Sequence, residues 1–235
     1  MQRSSDALTR TLRAPHSAGM RVCQAQARRL ISRPVLGAWL AALVLSLVLL
    51  PRAQAAAPCQ VPSNAYPTIQ AAVDRATCTT INVAAGTYPG TYPGLVTIAR
   101  DVMIRGAGEE HTVLDGGHRY HVVTIASGTV TIKGVTIQHG RASPLSGGAF
   151  SGGGIYNLGT LTVQNSTIAD NGAQNHGGGI SNEGTLTVQN STFADNAVGL
   201  IGGGIYNVGG GTVTLTEVTF ENNIPNDCTG CAGLL

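Results

Sequence analysis

Residues 152–223 limit what this chain can fold into more than any other stretch. They read GGGIYNLGTLTVQNSTIADN, then GGGISNEGTLTVQNSTFADN, then GGGIYNVGGGTVTLTEVTFENN. Ile155, Ile180 and Ile205 recur at a spacing of 25. Segment 159–171 returns at 184–196 with one change, Ile168 to Phe193. The third copy, 211–223, is spaced slightly wider, and the extra length falls in the Gly209–Gly211 run. A period of this size belongs to solenoids, propellers and arrays.

Within each copy the pattern is that of a strand. Leu161 and Val163 alternate with Thr160, Thr162 and Gln164, so one side is apolar and the other polar. β-Branched Thr suits the polar side. A helix needs apolar residues three and four apart, and these do not fit. The copies align as 100–112, 128–140, 159–171, 184–196 and 211–223. Gly106, Gly134, Asn165, Asn190 and Glu217 then occupy one equivalent position. Gly and Asn enter the left-handed backbone region at least cost. The alignment predicts one sharp bend between two strands, with Glu217 strained or differently turned.

Identical segments repeating head to tail predict coils stacked in register, with equivalent residues about 4.8 Å apart. Leu161, Leu186 and Val213 form one internal column in that reading, and Ile168, Phe193 and Phe220 another. No coil buries its own apolar side, so stability comes from neighbours. The glycine triplets 152–154, 177–179 and 202–204 make a crowded corner. Asn157, Asn182 and Asn207 stack as an amide ladder.

The stretch 1–55 reads differently. Residues 1–34 carry seven arginines, and Val35–Leu50 is an unbroken run of 16 apolar or small residues. Ala53-Gln54-Ala55 supplies a small-x-small pattern. Together these predict a signal peptide over 1–55, cleaved after Ala55, leaving no stable membrane span; the competing reading is an uncleaved anchor, for which sixteen residues are short. Beyond it stand six cations and eleven acids, a balance of −5 where the whole chain is +2. The basicity belongs to the leader, so nucleic-acid binding is excluded from the reading.

Cys59, Cys78, Cys228 and Cys231 follow the leader, an even number in an exported chain, with three pairings open. Ile69, Ala72, Val73 and Ala76 fall at helical spacing behind Thr68, an N-cap candidate. This predicts a helix plugging the first coil, because an open solenoid end exposes unpaired strand groups. A Cys59–Cys78 bridge would staple that plug. Cys228-Thr-Gly-Cys231 lacks the βαβ surroundings of a redox motif and reads as a structural loop. The segments are thus 56–79 as cap, 80–223 as coils and 224–235 as tail. The longest interruption, Arg141–Ser151, maps to a loop on one side.

The stretches Tyr66-Pro-Thr-Ile-Gln-Ala-Ala-Val-Asp74, Thr80-Ile-Asn-Val83, Gly86-Thr-Tyr88 and Leu114-Asp-Gly-Gly117 resemble the N-terminal part of pectin lyase-like right-handed parallel β-helix proteins. The GGGI and FxxN pairs at Gly202–Ile205, Phe193–Asn196 and Phe220–Asn223 resemble the polymorphic outer membrane protein repeat. The segment Pro225–Cys228 is similar to the tail of bacterial surface β-helix repeat proteins. The resemblance implies an all-β fold, a single-stranded right-handed parallel β-helix with a short N-terminal capping helix. It transfers no catalytic residue. The paired-Asp segment of pectin methylesterases has no counterpart here, and neither do the calcium ligands and catalytic Arg of pectate lyases.

Candidate binding residues are His111, Asp115, His118 and His121, in the densest ionisable stretch, which suit a metal or acid–base work on a sugar. A polar loop between coils accounts for the same residues. Tyr156 and Tyr206 lie two coils apart and offer ring faces to sugars, or pack against the glycine corner. Asp170 and Asp195 take equivalent positions and offer a calcium bridge, though Ala-Asp-Asn reads better as turn chemistry. Thr-x-Thr pairs at 129, 160, 185 and 212 form outward rows similar to those of ice-binding β-helices. The leading expectation is a non-catalytic exported or surface module, structural, adhesive or glycan-binding, without a cofactor. Its partner is an extracellular or cell-wall polysaccharide or a surface protein. A polysaccharide lyase or esterase is the alternative, and ice binding the third.

Overall fold

A strand with one apolar side must stack that side against something, and a repeat supplies an identical strand to stack on. The computed structural model describes residues 57–91, 94–142 and 150–231. The leader expected over 1–55, with its cleavage after Ala55, lies outside the described residues, as does most of the Arg141–Ser151 insertion.

Thr160–Gln164 pairs in parallel with the next copy, from Thr160↔Thr185 to Gln164↔Gln189. Thr185–Ala194 pairs in turn with Thr212–Glu221. Upstream the same wall continues through Thr129–Lys133, Val102–Arg105, Thr80–Val83 and Cys59–Val61. A second wall stacks Gly86–Pro89, Thr112–Asp115, Thr136–Gln138 and Thr167–Ala169. It joins the first where Thr185–Ala194 runs through the bend as one strand. A third wall stacks Gly94–Ala99, His121–Ser127, Ile155–Asn157, Ile180–Asn182, Ile205–Asn207 and Cys228–Thr229. A narrow strip of Arg141–Ala142, Gly172–Ala173 and Ala197–Val198 completes the outline. The architecture is the expected all-β, right-handed parallel solenoid, with about five turns. Strand pairing reaches past 80–223 at both ends, to Cys59–Val61 and Cys228–Thr229.

The interior is built from like residues in columns. Val130, Leu161 and Leu186 are each 0% exposed and lie in register. Ile137, Ile168 and Phe193 form the second column, and Phe220 stacks on Phe193 with ring centroids 5.3 Å apart. Val123, Ile155, Ile180 and Ile205 form the third. In the corner, a Cβ on Gly178 would sit 2.6 Å from the Gly203 carbonyl oxygen, so the windings approach too closely for a side chain.

Two rows of left-handed residues turn the chain. The first is Gly134, Asn165, Asn190 and Glu217, with φ of 65°, 46°, 46° and 53°. Glu217 therefore takes the same turn as its column and is not differently turned; the expected strain of a Glu at that φ is present, held there by pairing on both sides of the bend. Gly106 is not in that row. A Cβ there would run into the Gly134 carbonyl oxygen, so close approach explains the glycine. The second row holds His139, Asp170, Asp195 and Asn222, with φ of 53–54°.

Polar groups inside are matched along the stack. Asn157 Nδ2 donates to Asn182 Oδ1 at 2.6 Å, and Asn182 Nδ2 to Asn207 Oδ1 at 2.7 Å, the expected ladder. A second ladder was not anticipated. Asn171 Nδ2 donates to Asn196 Oδ1 at 3.0 Å, and Asn196 Nδ2 to Asn223 Oδ1 at 2.9 Å. The Ala-Asp-Asn segments are turns, but their Asn side chains serve the interior rather than the local backbone. The left-handed Asp resets the alternation and swings the following residue inward.

The first coil is plugged by helix Ile69–Val73, whose Ile69, Ala72 and Val73 are buried. Thr68 Oγ1 caps it by accepting from Ala71 N at 3.1 Å. The Arg100 guanidinium donates to the carbonyls of Val73, Ala72, Arg75 and Cys78 at 2.6, 3.3, 2.9 and 2.8 Å. Cys59–Cys78 is a disulfide, and so is Cys228–Cys231. Among the described residues no helix is long and apolar enough to cross a membrane.

Candidate functional site

The outer row of the third wall runs Thr97, Thr124, Tyr156, Ser181, Tyr206 and Thr229 in register. Flanking Ile155 and Asn157 point inward and are 0% exposed, so the pleat turns Tyr156 outward. Ser181, between the two tyrosines, is only 1% exposed. The His176 ring stacks on Tyr206, with centroids 4.4 Å apart and planes at 19°. His121 stands beside Tyr156, with centroids 6.4 Å apart and planes at 33°. Each of these tyrosines thus has a histidine ring beside it. Sequence reasoning missed His176; its signal was the bridge position shared with Ser151 and Ile201 beside each glycine triplet.

The two pairs differ in setting. His121 is 5% exposed, and its Nδ1 lies 2.7 Å from the Gly152 carbonyl oxygen, which orients the ring. Tyr156 Oη donates to Glu183 Oε1 at 2.6 Å. Burial first, then the neighbouring Glu183 carboxylate, pushes the Tyr156 hydroxyl up to about 12. It stays a neutral donor at any physiological pH, and Tyr206 offers a ring without that carboxylate. Half-exposed rings of this kind offer π faces to the C–H faces of sugars, with hydroxyl and carboxylate beside them for hydrogen bonds.

The ionisable stretch around 111–121 does not form one site. His121 belongs to the aromatic wall just described. His111 is exposed on the turn that closes back on Gly108. Asp115 and His118 instead meet His139, a residue that the sequence placed in another coil. Asp115 Oδ2 is 3.0 Å from His139 Nδ1, and the His118 and His139 rings lie 4.3 Å apart at 37°. Burial works to raise the Asp115 carboxyl. Hydrogen bonds from Gln138 Nε2 at 2.9 Å, Gly117 N at 2.8 Å and His139 outweigh it and hold the carboxyl below its usual value. An ionised Asp that orients an imidazole suits proton transfer. Among the described residues no group of three or more His, Cys, Asp or Glu comes together that could hold a metal ion. Asp170 and Asp195 sit on the left-handed row at the coil surface.

A third feature was not legible as a site. Arg105 and Lys133 lie directly in register on neighbouring strands. They line a groove of about 410 Å³ with Gly106–Glu109, Gly134 and Asn165. Glu109 Oε2 accepts from Thr167 Oγ1 at 3.1 Å at its side. The equivalence of Arg105 and Lys133 in the coil alignment carried the only signal for it.

A family model described as right handed beta helix region matches residues 106–233. No curated protein and no solved structure matches the chain.

Proposed function

The chain belongs to the right-handed β-helix family, and we propose that it serves as an exported, surface-displayed module whose rigid third wall binds glycans. The observation that carries this reading is two half-exposed tyrosine rings on one outer row, each with a histidine ring beside it. Tyr156 and Tyr206 stand two windings apart on the same face, a separation of about 10 Å. That matches the spacing of alternate residues in an extended glycan, so both rings engage one chain. The fold itself is neutral about function, since the same scaffold hosts binding and catalysis alike. Both disulfides suit an oxidising, extracytoplasmic compartment. The cleaved leader over 1–55, a bacterial surface, and the finer likeness to pectin lyase-like proteins and polymorphic outer membrane protein repeats are parts of this proposal.

The test is a glycan-array screen of the purified chain, followed by titration of the best ligand against Tyr156→Ala and Tyr206→Ala. Each ring removed weakens binding about tenfold, taking stacking at the upper end of its usual range. Binding that survives removal of both rings overturns the reading.

One observation favours a polysaccharide-active enzyme, a lyase or an esterase. The Asp115–His139 pair has the geometry of an oriented general base. This reading expects unsaturated uronide or released acid from an acidic polysaccharide, abolished in His139→Ala. The registered Thr rows at 129, 160, 185 and 212 are the ground for ice binding, which thermal hysteresis measures.

A further inference from the structure

Among the described residues the last winding is covered on one side only. Thr212–Glu221 pairs with Thr185–Ala194 along one edge, and among the described residues no strand pairs with the other. Burial records the difference. Leu186, Val188 and Phe193 are 0% exposed and Ser191 is 4%. Their successors Val213, Leu215, Phe220 and Val218 are all only half-buried. The opposite end of the solenoid is plugged by Ile69–Val73. An open strand edge backed by apolar side chains is a template for another strand.

The order of side chains on this edge identifies its partner. The inward residues are Val213, Leu215, Val218 and Phe220, because the left-handed turn at Glu217 resets the alternation. That set is symmetric about the Thr216–Glu217 peptide. Laid antiparallel on a copy of itself, the strand sets Val213 opposite Phe220 and Leu215 opposite Val218. Outside, Thr212 faces Glu221, Thr214 faces Thr219 and Thr216 faces Glu217. Apolar meets apolar on the inner side, and no carboxylate lies directly opposite another on the outer side. The bend preserves the match. A twofold axis along its bisector carries the limb before Glu217 onto the limb after it.

We propose that the open end docks on the open end of a second copy, the two Thr212–Glu221 strands pairing antiparallel about a twofold axis through the Thr216–Glu217 peptide. The contact is isologous and closes at two copies. Each strand satisfies the other's free backbone groups and covers its half-exposed interior. The two Glu217 carboxylates flank the axis as diagonal neighbours, and their repulsion holds the affinity down. The inference rests on the strand edge and is independent of glycan binding.

Sedimentation velocity on the purified chain over a concentration series tests it, with disulfide trapping to read the register. The expected result is a concentration-dependent dimer. Glu217→Asn tightens it several-fold, and Leu215→Lys leaves a monomer with unchanged circular dichroism. If Leu215→Lys fails to fold, the trapping decides. Under mild oxidation the double variant Thr214→Cys/Thr219→Cys gives a covalent dimer, while either single variant does not. A wild-type chain that stays monomeric at every concentration overturns the proposal. So does a dimer trapped by Thr214→Cys alone, because that crosslink needs a different register.

Discussion

At the scale of single residues, backbone conformation explains more of this chain than side-chain chemistry does. Asn165 and Asn190 sit at φ 46°, where Asn is tolerated and most L-residues pay about 1–2 kcal/mol. Glu217 holds the same position at φ 53°. Glu217→Asn is therefore expected to stabilise the fold by about 0.5–1 kcal/mol, read as a rise in the urea midpoint at unchanged slope. Tyr156 offers a second check. Its hydroxyl is raised to about 12 by burial and then by Glu183. A raised folded value means the fold favours the neutral phenol. That contribution is complete below the ordinary tyrosine value near 10 and is lost as pH climbs toward 12. Ultraviolet titration should show one tyrosine ionising last, and Glu183→Gln should bring it back toward the others.

At the scale of elements, the cap is the most heavily braced piece. Ile69–Val73 is too short to hold a helix alone. Tertiary contacts do the holding. Arg100 reaches four carbonyls at the helix end, and Gln70 pairs both ways with the Thr97 backbone, at 3.2 and 2.8 Å. The Cys59–Cys78 bridge spans a sequence separation of 19, worth about 3 kcal/mol in the chain-entropy account. Arg100→Ala is expected to cost about 2–3 kcal/mol, since several carbonyls lose a charged donor at once. Hydrogen exchange should quicken first in 69–73. Arg100→Lys should not restore it, because one ammonium group lacks the planar fork that spans those carbonyls.

At the scale of the whole molecule, stability is a sum over neighbouring windings rather than the property of one core. Thr160–Gln164 and its partner segment 185–189 are identical in sequence and paired in register, one winding apart. Deleting 166–190, one whole winding, should therefore leave a shorter solenoid that melts cooperatively, a little below the parent. Deleting 166–189 leaves one surplus residue at the bend between the paired limbs and should melt well below the 166–190 deletion, because the winding there must bulge or shift its inward side chains. Circular dichroism and a thermal melt of the two deletions check this directly.

The winding and its register were legible because the repeat writes them twice. Two copies, 159–171 and 184–196, that differ at a single position must occupy equivalent places, and Leu161, Leu186 and the Asn157 ladder follow. The cap was legible from Thr68 and the helical spacing behind it, and its bridge from the cysteines on either side. What the repeat does not encode is the offset between unlike windings. His139 reaches Asp115 over a separation of 24, while Tyr156 reaches Glu183 over 27. Only the stacked structure decides which loops coincide, so the meeting of His139 with Asp115 and of His176 with Tyr206 stayed hidden. The second Asn ladder was hidden for a related reason. Whether Asn171 faces in or out depends on a left-handed turn at Asp170, and that turn is imposed by the windings on either side.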